Sequence, residues 1–276
     1  MDKPTGPTSH DVVSVVRRAI GERRVGHTGT LDPFASGLLV LLAGRATRLA
    51  QFLVGHTKSY RGVIRLGTTT DSCDATGTVT GTNDTWTALN EAHVTDAMTK
   101  LVGRQRQRPP AFSAKKVGGV RAYRLARRGE QPDLPEVDIE VFSFALTGWD
   151  GPNLQFETQV SSGTYVRALA RDLGTDLGCG AHLAELRRTA VGPFSVDGAL
   201  PPEEVSPAHI RPALEAVTHL RSLAVDGADL ESLLHGRAIT APEPLSGSVA
   251  LVAGDELVAV AEAEGTRLRP RVVFAS

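Results

Sequence analysis

Between Arg24 and Leu42 the chain carries Gly26, Gly29 and Gly37, an Asp32-Pro33 pair, and then an apolar run that extends from Leu38 to Ala43. Glycines allow tight turns and close approach of another molecule, and Pro33 pushes Asp32 out of helical backbone into an extended conformation. The apolar run is of strand length and reads as one strand buried on both faces. A fold containing this stretch must therefore hold a stiff loop, with a single carboxylate, against a buried sheet. That is how a nucleophile or general base is displayed. An isolated Asp-Pro usually does no more than start a turn, so the neighbouring residues decide between the two readings.

With 276 residues, 41% of them hydrophobic, the chain can build one large core and a second small one. No apolar run approaches the roughly 20 residues of a bilayer span, and no signal segment opens the chain, so a cytoplasmic, non-membrane protein is expected. Cys73 and Cys179 form no Cys-x-x-Cys pair and the histidines show no ligand spacing, so no disulfide framework and no metal are expected. The net charge of −1 hides an uneven distribution. Arg17 to Arg61 carries eight Lys or Arg against two acids, Leu101 to Gly129 nine against none, and Pro201 to Glu264 three against eleven acids. Two basic runs ahead of an acidic rear suggest that a polyanion binds the first two thirds of the molecule.

Several elements follow from pattern alone. Thr8 or Ser9 caps a helix with Val12, Val13, Val16 and Ile20 as its apolar stripe, ending at Gly21. In Lys58 to Gly67, Tyr60, Gly62, Ile64 and Leu66 share one strand face, while Arg61 and Arg65 point the other way. The segment 68–81 reads as a polar turn region with Asp71 and Asp74 as loop acids, and 89–101 as a short helix. Residues 104–128 begin irregular and end helical, interleaving Arg104, Arg106, Arg108, Lys115 and Lys116 with Phe112 and Tyr123, a composition suited to phosphates and unstacked bases. Strands at 137–144 and 154–161 lead into a helix with Val166, Leu169, Ala170 and Leu173 buried and Gly174 as its terminator. Arg167 sits in its first turn, where the helix dipole disfavours a cation, so an anion should lie close by, either Asp32 or a phosphate. A further helix is expected at 181–188, a Pro-rich linker from Leu200 to Pro212, and then a compact tail. That tail should hold a helix near 226–234, a hairpin turning at Gly254-Asp255, and a last strand at 268–274.

Taken together, Asp-Lys-Pro-x-Gly-x-Thr-Ser at 2–9, Gly-His-x-Gly-Thr-Leu-Asp-Pro-x-Ala-x-Gly-Leu-Leu at 26–39, Lys-x-Tyr at 58–60, Ser-Gly-Thr-Tyr-Val-Arg at 162–167 and Leu-Arg-Arg-Thr-x-x-Gly-x-Phe at 186–194 resemble the TruB-type tRNA pseudouridine synthases. The resemblance implies an α+β fold: a mixed, mainly antiparallel sheet flanked by helices, with a small β-rich, PUA-like C-terminal domain. It implies a catalytic domain over 1–200 with a basic RNA-binding insertion at about 101–129, a linker at 201–219 and the small domain at 220–276. The activity implied is conversion of uridine-55 in the tRNA T-loop to pseudouridine without metal or cofactor. The chain should act as a monomer on the T-arm and elbow, with a mobile basic segment closing over the RNA. Asp32 is then the catalytic carboxylate, Arg167 its ion-pair partner, and Tyr60 the ring that stacks on the flipped base and accepts a proton. His27, Lys3, Leu186, Arg104, Arg106, Lys115 and Lys116 are expected to contact the substrate. Relatives carry an apolar strand ahead of the Asp-Lys-Pro segment, whereas this sequence begins at Met1, so one sheet strand or an upstream start is expected to be missing. The rival readings are a guide-dependent rRNA pseudouridine synthase, against which the long basic insertion argues, and a tRNA-folding RNA-binding module.

The basic insertion makes a measurable prediction. Replacing several of Arg104, Arg106, Arg108, Lys115 and Lys116 should weaken RNA binding and flatten its salt dependence, by roughly 0.7 in log–log slope for each lost phosphate contact. Filter binding across a salt series measures it, and an unchanged slope would remove the insertion from the interface.

Overall fold

The computed structural model describes the whole chain except residues 114, 118, 127, 131, 132, 275 and 276, and at 116, 117, 121 and 123 the backbone only. In order, the elements are β1 (Asp2–Lys3), α1 (Ser9–Ile20), β2 (Val25–His27), β3 (Ser36–Leu38), β4 (Leu41–Ala43), α2 (Ala50–Leu53), β5 (Lys58–Leu66), β6 (Thr68–Thr70), β7 (Val79–Thr82) and α3 (Glu91–Lys100). Then follow β8 (Gly103–Gln107), β9 (Lys116–Val117), β10 (Val120–Arg121), α4 (Ala122–Ala126), β11 (Val137–Asp150), β12 (Asn153–Val160), α5 (Val166–Asp176), β13 (Ala181–Val191) and β14 (Phe194–Ser195). The tail holds β15 (Arg221–Ala224), α6 (Gly227–Leu234), β16 (Ile239–Ala253) and β17 (Glu256–Val273).

The central sheet runs β1-β3-β13-β5-β12-β11-β8, with β14 hydrogen-bonded to β13. Every pairing in it is antiparallel except β13 with β3. One core unites the apolar faces of α1, α3 and α5 with Ile64, Leu66, Leu154, Phe156 and Leu183 from the strands. Burying each large aliphatic or aromatic side chain of this set is worth roughly 1.5–3 kcal/mol. The tail has its own sheet, β15-β16-β17, over a separate core with α6. A third cluster joins Leu42, Leu49 and Leu53 to Val217 and to Ala250, Leu257 and Val260 of the tail sheet. Arg45 and Arg48 add hydrogen bonds to the carbonyls of Phe274 and Val273. No helix among the described residues is long and apolar enough to cross a membrane.

Capping of α1 follows the expectation and resolves its ambiguity. Thr8 Oγ1 accepts from Asp11 N at 3.1 Å, Asp11 Oδ2 accepts from Thr8 N at 2.8 Å, and Gly21 ends the helix at φ 68°. Ser9 is thereby free to bond the Asp32 loop. The tail helix and the hairpin at Gly254-Asp255 also lie where expected.

Six expectations about the elements are corrected, the last of them at Gly174. The run from Leu38 to Ala43 is not one strand: β3 belongs to the central sheet and β4 pairs with β2, so the chain stays apolar while crossing between two buried sheets. The 181–188 segment is a strand, the neighbour of both β3 and β5. Bulges between Leu183 and Glu185 and between Arg188 and Ala190 break its two-residue alternation, which is why Leu183 and Leu186 mimic helical spacing. The irregular start of the basic insertion is edge strand β8. Segment 68–81 includes most of the β6–β7 hairpin, and the separate last strand at 268–274 is largely the continuation of β17.

Gly174 does not terminate α5, which runs on to Asp176. A Cβ there would stand 2.3 Å from Ala181 N and 2.6 Å from Ala181 Cβ, so its job is close approach of helix to strand. Helix propensity alone would favour alanine by about 1 kcal/mol, whereas overpacking costs about 1–3 kcal/mol. Gly174→Ala should therefore lower the urea midpoint, and a raised midpoint would show that the helix–strand contact can relax.

Candidate active site

Asp32 stands on the loop between β2 and β3, and side chains from distant parts of the chain hold that loop. Ser9 Oγ both donates to Leu31 O (3.0 Å) and accepts from Leu31 N (2.8 Å), while Gly6 N donates to Pro33 O at 2.8 Å. Arg188, fully buried on β13, donates to Leu38 O (2.7 Å), Thr30 O (3.2 Å) and Gly29 O (3.1 Å), so one guanidinium spans both ends of the loop. Its planar fork suits three fixed acceptors better than a lysine would.

Lys3 is equally enclosed, its Nζ donating to Pro4 O at 2.7 Å and Pro33 O at 3.3 Å. Expected on sequence grounds to touch substrate, it instead has no exposed surface and supports the loop from behind. Burial lowers its pKa to about 8, partly opposed by the Asp32 charge. Lys58 on β5 is likewise lowered by burial to about 8, and its Nζ bonds Val54 O and His56 O.

Arg167 and Asp32, far apart in sequence, meet as expected. Arg167 Nε lies 2.9 Å from Asp32 Oδ2, a charge contact whose N–H does not line up as a hydrogen bond. Arg167 Nη1 lies 3.3 Å from Asp74 Oδ2, so two carboxylates share one guanidinium. Its hydrogen bonds go to Ser72 O (3.0 Å) and Phe112 O (2.9 Å). Asp74, read from sequence as a loop acid, is therefore part of the centre. Its Oδ1 accepts from Ser72 Oγ, Thr76 N and Thr76 Oγ1, and its backbone bridges to Leu183 of β13.

The two acids differ in access. Side-chain exposure is 36% for Asp32 and 5% for Asp74, with Arg167 at 5%. Asp74 is satisfied from inside the protein; among the described residues, the Asp32 carboxylate has the Arg167 contact alone, and its outer side faces the solvent. Two negative charges against one positive leave a surplus, and it is carried at the open end. Such a group can attack an electron-poor carbon or stabilise positive charge developing beside it.

Tyr60 is 7% exposed on β5 and lies directly across from Arg188 in the sheet. Burial, with the nearby Asp32 charge, raises its pKa, and Arg188 opposes this by charge and hydrogen bond. Tyr165, at the start of α5, is likewise raised by burial, with the Arg167 charge opposing the shift and the Asp32 charge adding to it. In the sequence, Tyr165 stands out only as part of the Ser-Gly-Thr-Tyr-Val-Arg motif. His27, half-buried, has its pKa lowered by burial first and then by Arg188 and His10, so the ring is neutral near pH 7. Leu186 is buried opposite Gly62. Arg104 and Arg106 are exposed on β8 beside Glu140 and Glu136, and Lys115 is exposed; the side chains of Lys116 and Tyr123 lie outside the described residues. Among the described residues no group of three or more His, Cys, Asp or Glu could hold a metal.

A central sheet of this order, with the acid-bearing loop at one margin and a small β-rich unit behind it, defines a pseudouridine synthase fold. The chain in the crystal structure of the archaeal box H/ACA sRNP Nop10-Cbf5 complex superposes with a TM-score of 0.72 at 26% identity, covering 99% of this chain and 84% of that one. Residues 17–166 match the TruB family pseudouridylate synthase N-terminal domain, and residues 167–224 the tRNA pseudouridylate synthase B C-terminal domain. The tRNA pseudouridine synthase B of Thermobifida fusca (strain YX) is 43% identical, covering 100% of this chain and 97% of that protein. Its counterpart in Synechococcus sp. (strain WH7803) is 42% identical over 99% and 96%. The chain belongs to the TruB family of pseudouridylate synthases.

Two measurements test this geometry. Asp74→Ala leaves Arg167 paired with Asp32 but strips buried Ser72 Oγ of its carboxylate acceptor and should destabilise the fold by about 1–3 kcal/mol in urea denaturation. A change below about 1 kcal/mol would place Asp74 outside the cluster. For Lys3, a folded pKa near 8 against an unfolded value near 10.5 means that the unfolded chain holds the extra proton between those limits. The stability of wild type relative to Lys3→Met must therefore rise from pH 8 to 10. A flat or falling difference would contradict the burial of that ammonium.

Proposed function

We propose that this chain isomerises uridine-55 in the T-loop of tRNA to pseudouridine, acting as a cytoplasmic monomer on the T-arm and elbow. The observation that carries this reading is the solvent-open Asp32 carboxylate held on Arg167, in a chain that aligns end to end with tRNA pseudouridine synthase B relatives. The reaction breaks the N-glycosidic bond, turns the uracil and joins its C5 to C1′ of the same ribose, and the proton on C5 is finally lost while N1 gains one. Asp32 attacks C1′, or stabilises the positive charge that develops there, as one carboxylate does in glycoside hydrolysis. A second acid is not required, because the leaving group is the uracil ring itself.

The target must leave its stack, at a cost of a few kcal/mol that contacts to the extruded base offset. Tyr60 supplies the ring and, with its phenol kept protonated by burial, relays the C5 proton: Oη accepts it as the hydroxyl's own proton passes on to solvent. His27 and Leu186 line the entry, Arg104 and Arg106 on edge strand β8 and Lys115 and Lys116 beyond it take phosphates, and the part of the basic segment that follows β8 closes over the RNA. Residues 1–200 form the catalytic domain, 201–219 the linker and 220–276 the PUA-like unit.

The fold likeness to Cbf5 raises the guide-dependent alternative. The higher identity to tRNA pseudouridine synthase B over nearly the whole length favours the stand-alone enzyme. Incubation of the purified chain with unmodified tRNA, followed by pseudouridine mapping, should give modification at position 55 without added guide or protein. Asp32→Asn should abolish it while tRNA binding stays within about threefold. Turnover by that variant, or modification only with a guide RNA, would overturn the assignment.

A further inference from the structure

Gln107 ends β8, the edge strand that carries Arg104 and Arg106 on its exposed side, yet its own side chain is 1% exposed. Both halves of its amide are used on a single residue. Tyr165 N donates to Gln107 Oε1 at 2.9 Å, and Gln107 Nε2 donates to Tyr165 O at 3.2 Å. Tyr165 is the N-cap of α5 and supplies no side-chain cap of its own, and Arg167 follows within the first turn. Helix starts without a capping side chain are soft, because their first amides lack partners. Here a side chain from the sheet fixes the backbone at that point, and the same neighbourhood is tied twice more, by Arg167 to Phe112 O and by Arg171 to Arg108 O at 3.1 Å.

We infer that Gln107 is a positioning residue for the reaction: its two-way hydrogen bond to Tyr165 fixes the start of α5, and with it the Arg167 guanidinium that holds Asp32. This rests on the assignment of Asp32 and Arg167 made above. Gln107 touches neither the carboxylate nor the RNA. It acts through the helix start, where a displacement of about 1 Å at a reacting group costs on the order of 100-fold in rate. It also joins the strand bearing Arg104 and Arg106 to the turn bearing Tyr165 and Arg167, so the proposed RNA-contacting edge and the proposed catalytic centre share one rigid connection.

Single-turnover measurements with excess enzyme and unmodified tRNA test it, because a partly misfolded variant loses amplitude or needs more protein, whereas a misplaced guanidinium slows the saturating rate constant. Gln107→Met, similar in length but without the amide, should slow that constant by about 10- to 100-fold at full amplitude, with tRNA affinity within about threefold of wild type. Gln107→Glu supplies the signature that a packing role lacks. Its protonated carboxyl presents the same donor and acceptor as the amide, and its ionised form sets an oxygen against Tyr165 O. Its rate relative to wild type should therefore climb as the pH is lowered. A wild-type rate constant in Gln107→Met, a loss confined to amplitude, or a pH-independent ratio for Gln107→Glu would overturn the inference while leaving the enzyme assignment intact. Absence of turnover in the wild type would overturn the assignment itself.

Discussion

One guanidinium shared by two carboxylates is the interaction on which this site depends. Burying Arg167 costs several kcal/mol in lost hydration, and only close counter-charges with additional hydrogen bonds offset it. The fold supplies Asp74 from a loop stitched to β13, and the backbone carbonyls of Ser72 and Phe112. With its inner face thus occupied, Arg167 presents Nε to Asp32 in a fixed place. The excess negative charge then falls on the one acid that solvent, or an extruded nucleotide, can reach.

Around this trio the protein uses cations as fasteners. Arg188, Lys3 and Lys58 are buried with their donors on backbone carbonyls, not on carboxylates. Carbonyl partners leave the positive field in place, and that field acts on Asp32 and Tyr60 from behind. It also makes the Asp32 loop rigid: a loop whose carbonyls are already bonded to buried side chains cannot move without exposing them, and preorganised electrostatics of this kind need little rearrangement during reaction.

Much of this was legible in the sequence, for reasons particular to each element. The α1 cap, the alternation of β5 and the tail hairpin are local patterns, and they fold where local rules place them. A cation in the first turn of a helix calls for an anion, which left Asp32 and a phosphate open beside Arg167; only the family resemblance singled out Asp32. β13 was misread because two bulges give a strand a helical rhythm, and Leu38–Ala43 because periodicity cannot tell one doubly buried strand from a crossing between two sheets. Asp74 and Gln107 were missed for a different reason. Each looks like an ordinary polar residue until the sheet brings Arg167 or Tyr165 against it, and no spacing along the chain encodes that meeting.

The most direct test of the shared-guanidinium account is a crystal structure of the chain bound to a T-arm stem–loop with 2′-deoxyuridine at the target position. The account predicts the target nucleotide swung out of its stack, the free oxygen of Asp32 facing C1′, and Arg167 still between Asp32 and Asp74. Arg167 turned away to bind an RNA phosphate, with Asp32 left unpaired or aimed elsewhere, would contradict it.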